Sequence, residues 1–160
     1  MIKVKEIDMP GSVRHIVVGI DGSANADHAL RAALQLAAAS GADVAVVSAW
    51  RREFTRDAAS FGEAFLSDDD LAGATLTLID DALGRVADDA AAVEAAGGSV
   101  LRHALEGEPD EVLMKAAGEA DIVVVGRRGH QGLGARLLGS TSRHIADHAP
   151  CPVLVVPEPA

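Results

Sequence analysis

Between residues 126 and 141 the chain reads Gly126-Arg127-Arg128-Gly129-His130-Gln131-Gly132-Leu133-Gly134-Ala135-Arg136-Leu137-Leu138-Gly139-Ser140-Thr141. These residue types suit anion binding. Glycine tolerates positive φ and close backbone approach, so such a loop can turn successive N–H groups toward one anion. Ser140 and Thr141 add hydroxyl donors. They also open a predicted helix, whose first N–H groups lack intrahelical partners and carry partial positive charge. The charges agree. Residues 126–144 hold Arg127, Arg128, Arg136 and Arg143 and no acidic residue, in a chain with 24 Asp and Glu against 14 Lys and Arg. The segment is therefore a positive island in an acidic chain.

Two familiar phosphate motifs fail here. Gly134 and Gly139 have the spacing of a P-loop, but Ser140 stands where the phosphate-clamping lysine belongs. A dinucleotide fingerprint follows the first strand of its fold and needs a third glycine. Gly132 and Gly134 come after the fourth predicted strand, and position 137 is Leu.

The elements that must position this loop are legible from hydrophobic periodicity. Strands are expected at 15–20, 44–50, 100–105, 121–125 and 152–156. Helices are expected from about 23 to 39, 71 to 96, 109 to 120 and 140 to 148. Asp21-Gly22-Ser23 breaks the first strand, and Ser23 or Asn25 can cap the first helix. Gly41 and Gly97-Gly98 end helices, and Pro109 suits a first helical position. Residues 51–70 are expected to be a long surface loop, and residues 1–13 a leader ahead of a single domain over 14–160. Alternating strands and helices imply an α/β fold with a parallel sheet covered on both faces. Ligands in such folds sit beyond the carboxyl ends of the strands, where strand order reverses.

Composition sets limits. Apolar residues make up 49% and aromatics only 2%, so the core must be aliphatic, as suits buried parallel strands under Ala-rich helices. A formal net charge of -10 argues against a nucleic-acid partner. The single cysteine, Cys151, excludes an internal disulfide and reads better as a small buried residue than as a redox sensor. No apolar run reaches the ~20 residues needed to span a bilayer, and no signal peptide stands out in residues 1–14. A soluble, cytoplasmic chain with no membrane partner is expected.

The spacing Gly126-x2-Gly129-x9-Gly139-Ser140, with the opening Val17-Val18-Gly19-Ile20-Asp21 and the closing Ala149-Pro150-Cys151-Pro152-Val153-Leu154-Val155-Val156, resembles the ATP-binding subgroup of the universal stress protein family over about residues 13–157. The resemblance implies a Rossmann-like sheet of five parallel strands in the order 3-2-1-4-5 with helices on both faces. It implies an adenine nucleotide, ATP with Mg2+, and a role as a stress-response regulator acting through nucleotide-dependent conformation or dimer contacts. Residues Gly126, Gly129, Gly139, Ser140 and Thr141 would hold phosphates and ribose, with Arg127, Arg128 and His130 on the same loop. Asp21 would lie at the adenosine end and a backbone group of Ala49 near the adenine, with Gly19 also among the nucleotide-binding residues. A homodimer through Val153, Leu154, Val155 and Val156 is implied as well. Arg127-Arg128 and Thr141 depart from the commoner family residues, and both departures add polarity near the phosphates.

Plainer readings stand beside these. Asp21 can simply hold the corner after the first strand, and the glycine-rich segment can be a ligand-free loop. His144 and His148 have metal-binding spacing but lack a third ligand. Asp68, Asp69 and Asp70 suit a solvated loop or helix cap better than a metal site. Trp50 can stack on a base or merely pack. Two other functions compete with nucleotide-dependent regulation: a slow ATPase or self-phosphorylating protein, for which the sequence offers no convincing base, and a ligand-free dimeric interaction module.

Overall fold

The computed structural model describes residues 11–52, 66–128 and 138–159. Gly129, His130, residues 1–10 of the leader and residues 53–65 of the expected loop lie outside them. In chain order the elements are β1 (His15–Gly19), α1 (Ala24–Ser40), β2 (Asp43–Trp50), α2 (Asp68–Arg85), α3 (Ala87–Ala95), β3 (Val100–Glu106), α4 (Pro109–Ala117), β4 (Ile122–Gly126), α5 (Ser140–His148) and β5 (Val153–Val156). The five strands form one parallel sheet in the order β3-β2-β1-β4-β5.

Successive side chains of a strand point to opposite faces, and here both faces are filled. Ile16, Val18, Val44, Val46, Ile122 and Val124 enter one core with α1, α2 and α3. Val17, Val47, Val123 and Val125 enter a second core with α4 and α5. The uninterrupted apolar runs of β1 and β4 follow from this two-sided burial. Helix α1 presents Ala29, Leu30, Ala33, Leu34 and Ala37, all fully buried, to the sheet. Ser23 caps it by accepting from the Ala26 N–H, and Gly41 closes it at φ 69°, in the left-handed region that favours glycine.

Two expectations need correction. The single helix expected at 71–96 is two helices, broken at Val86. The break lets Ile79 and Ala82 of α2, Val86 itself and Val93 of α3 all enter the core beneath α1. The first of the pair also starts earlier than its apolar pattern, because Ser67 and Asp70 form a reciprocal capping box. The run Asp68-Asp69-Asp70 is thereby the acidic first turn of a helix. Helix α4 stops at Ala117 rather than near 120, at Gly118.

A carboxylate pins the start of the central strand. The Arg14 and His15 N–H groups donate to Asp121 Oδ2 at 2.8 and 2.9 Å. These two bonds hold the Asp121 carboxyl below its ordinary value. A lowered folded-state value stabilises the fold above about pH 4, the unfolded carboxylate's range, and the contribution disappears as pH falls through the folded value. Asp121→Ala is therefore expected to lower the melting temperature at pH 7, and the gap from the parent should shrink as the pH falls below the ordinary carboxylate range, about 4. Thermal melts across pH 2–8 check this; a gap independent of pH would contradict it.

Candidate functional site

At the carboxyl edge of the sheet, β1 is flanked by β2 on one side and β4 on the other. Chain connections leave this junction in opposite directions, which opens a crevice. The crevice is a cavity of about 630 Å³, within the range of small-molecule sites. Its walls come from the end of β1 (Gly19, Ile20, Asp21), the end of β2 (Ala49, Trp50, Arg51), the end of β4 (Gly126, Arg128), the start of α5 (Gly139–Ser142) and the turn into α4 (Gly107–Asp110). Of the described residues singled out from the sequence, Gly19, Asp21, Ala49, Gly126, Arg128, Gly139, Ser140 and Thr141 all line it. Arg127 does not: its N–H donates to Val156 O at 2.8 Å, and its carbonyl accepts from the Gly139 N–H at 2.9 Å. Gly129 and His130 lie outside the described residues.

Three features give the cavity its chemistry. Helix α5 opens onto it with Gly139 at the N-cap, no side-chain cap and no acidic residue in its first turn. Free N–H donors and the helix dipole therefore face the cavity wall formed by Ser140 and Thr141. Second, β1 pairs with β2 only as far as Gly19 and Val47, and Ile20 donates to Val47 O at 2.9 Å. Backbone polar groups alternate sides along a strand. Ala49 thus presents its N–H and C=O toward the space beyond the end of β1. Third, Trp50 lines the cavity with its indole Nε1 buried and without a hydrogen-bond partner among the described residues.

Some assignments have structural reasons of their own. A Cβ on Gly19 would meet Leu113 Cδ1 at 2.6 Å, so packing of α4 on β1 already demands glycine there. Asp21 Oδ1 accepts from the Ser23 N–H at 3.0 Å, holding the corner that leads into α1. The corner reading and the pocket-lining position thus coexist.

The sequence reading missed the residue that ties the site together. Asn25 stands one residue inside α1, not at its cap, and is buried. Its Oδ1 accepts from the Arg128 N–H at 2.9 Å, and its Nδ2 donates to Val156 O at 3.4 Å. One side chain joins α1, the segment after β4 and the end of β5. Gly126 lets it approach, since a Cβ there would sit 3.0 Å from Asn25 Oδ1. The available signal was an amide on an otherwise apolar helix face. Ser142 of α5 donates its hydroxyl to Gly126 O, anchoring the same region from the other face.

Charge is less one-sided than the acid-free segment suggests. The fold brings Asp21, Glu108 and Asp110 to the same cavity as Arg51 and Arg128. Arg51 is engaged by Glu108 at 2.5 Å. Among the described residues no cluster of three or more His, Cys, Asp or Glu is arranged to hold a metal ion, and His144 and His148 instead stack on each other on α5 at 4.6 Å. Cys151 is half-buried, and burial raises its thiol above the ordinary value, which disfavours a reactive thiolate.

Comparison with known proteins gives a consistent picture. The model of the universal stress protein family matches residues 12–157. A universal stress protein of Thermus aquaticus is 48% identical over 54 residues, covering 32% of this chain; the matched stretch spans 39% of that relative's length. Among solved structures, universal stress protein UspA from Lactobacillus plantarum superposes with a TM-score of 0.68 at 20% identity, covering 92% of this chain and 99% of that one. A universal stress protein solved in complex with cAMP gives a TM-score of 0.63 at 27% identity, covering 91% of this chain and 97% of that one.

Asn25→Ala would strand the Arg128 N–H and remove both bonds of the amide. A loss of about 1–3 kcal/mol in unfolding free energy is expected, measurable by urea denaturation. A variant as stable as the parent would show that the amide does not tie these elements together.

Proposed function

The chain belongs to the universal stress protein family, and from that premise we propose that it binds an adenine nucleotide, ATP with Mg2+, in the cavity at the carboxyl edge of the sheet. The observation that carries this reading is the uncapped, acid-free start of α5 forming one wall of that cavity. The first amide hydrogens of a helix, which have no intrahelical acceptor, suit an anion. Backbone N–H groups and the hydroxyls of Ser140 and Thr141 suit phosphate oxygens. At the other end, the N–H and C=O of Ala49 offer the donor and acceptor pair that the edge of an adenine needs, with Trp50 and Val47 as apolar wall. The relative solved with cAMP supports an adenine ring as the shared element.

Mg2+ fits this pocket as a companion of the phosphates. The ion keeps several waters and is bound through one or two carboxylates plus substrate phosphates rather than by a protein cage. Asp21, Glu108 and Asp110 line the cavity and supply hard oxygen donors without forming a cage by themselves. The ion would screen these carboxylates from the phosphates.

On this reading the protein is a stress-response regulator. Nucleotide at α5 and the Arg127–Arg128 segment bears on β5, because Arg127 and Asn25 both donate to Val156 O at its end. Strand β5 is an edge strand with Leu154 exposed, and a homodimer through Val153, Leu154, Val155 and Val156 would cover it.

Millimolar ATP should raise the melting temperature, since a ligand that binds only the folded state stabilises it by about 2.7 kcal/mol at a hundredfold excess over Kd. Ser140→Glu places a carboxylate in the first turn of α5, where it favours the helix itself but repels phosphate. Its own melting temperature should hold or rise while the ATP-induced shift disappears. A parent protein that shows no shift with ATP would sink the proposal.

A further inference from the structure

Among the described residues two arginines line the cavity, Arg51 and Arg128, and each has a carboxylate beside it. Arg51 and Glu108 meet in a direct hydrogen bond. Arg128 is held differently. Its Nη1 stands 3.7 Å from Glu158 Oε1, beyond hydrogen-bond distance. Its Nε is buried without a hydrogen-bond partner among the described residues. The Arg128 side chain is only 16% exposed, against 49% for Glu158.

A guanidinium offers five N–H donors in a fixed fork, and burying such donors unpaired is costly. Glu158 therefore supplies opposite charge to Arg128 without satisfying its donors. The placement is fixed by backbone. The Arg128 N–H is bound to Asn25, and the Arg127 N–H is bound to Val156 O, two residues before Glu158. Arg128 lines the same cavity as Ser140 and Thr141, where oxygen atoms of an anion would complete its fork.

We propose that Glu158 is a built-in counterion of Arg128 that tunes the affinity of the pocket for anionic ligands, and so sets how strongly phosphorylated adenosine ligands are preferred over adenosine. The inference rests on the nucleotide reading of this cavity. In the empty pocket Glu158 neutralises a largely buried charge. When phosphate oxygens reach Arg128, the same carboxylate repels them, since it carries like charge beside the guanidinium. Removing its charge leaves the arginine free to act fully on the anion. Because the pair is partly exposed, the effect is modest, about two- to five-fold in Kd.

The test is calorimetric titration of the full chain and of Glu158→Gln, Arg128→Gln and the double variant with ATP, adenosine and inorganic tripolyphosphate. Glu158→Gln should bind ATP and tripolyphosphate two- to five-fold tighter, with adenosine unchanged. The gain should vanish in the Arg128→Gln background. If the parent binds ATP but Glu158→Gln leaves the ATP-to-adenosine ratio unaltered, or if the gain survives without Arg128, the counterion role is overturned and nucleotide binding stands. If the parent binds neither ATP nor adenosine while Glu158→Gln still tightens tripolyphosphate, the counterion role stands and the nucleotide reading falls. If tripolyphosphate is also unaffected, both fall.

Discussion

Everything in this molecule depends on β1 being buried on both faces and paired on both edges. It hydrogen-bonds to β2 and β4, so its backbone is satisfied within the sheet, and Ile16, Val17 and Val18 feed two separate cores. Parallel strands need crossovers of fixed hand. The crossover from β1 to β2 carries α1 to one face, and the crossover from β4 to β5, running the other way across the sheet, carries α5 to the opposite face. The connections part at the β1–β4 junction. The cavity is the geometric remainder of that parting, and it lies where backbone amides are least committed.

Its walls combine apolar packing, as of Leu113 on Gly19, with a small set of polar contacts. Asn25, Gly126, Arg127, Arg128, Ser142 and Val156 make hydrogen bonds that join four elements, α1, β4, α5 and β5. These bonds engage backbone groups at the ends of β4 and β5 that lie beyond the regular ladder, Gly126 O, the Arg128 N–H and Val156 O among them. The same contacts seat the start of α5 and the end of the edge strand in one network. The proposed nucleotide site and the proposed dimer edge would thus be physically adjacent, and Glu158 stands beside Arg128 in the same region.

Electrostatics shows what a linear reading misses. Along the chain, residues 126–144 are free of acids. In space, Asp21, Glu108 and Asp110 arrive from other segments, and the chain's strong negative charge reaches its own cavity. A window of sequence samples neighbours along the backbone, whereas a potential sums over neighbours in space. Arg127 illustrates the same point. Its residue type suggested a ligand contact, yet its backbone serves the continuation of the β4–β5 pairing, and it does not line the cavity.

The sequence by itself determined the class of fold and the approximate place of every strand, and it pointed to the segment whose described ends, Gly126, Arg128 and Gly139 to Thr141, line the cavity. These follow from period-two and period-3.6 burial and from Gly, Ser and Pro at chain reversals, which act over a few residues. Resemblance supplied the strand order that the sheet adopts. Only the tertiary structure decided the break at Val86, the role of Asn25, the packing demand on Gly19 and the pairing of Arg128 with Glu158. Each of these depends on groups far apart in sequence, such as Asn25 and Val156, 131 residues apart. Local preference carries no information about such partners until the sheet has brought them within reach.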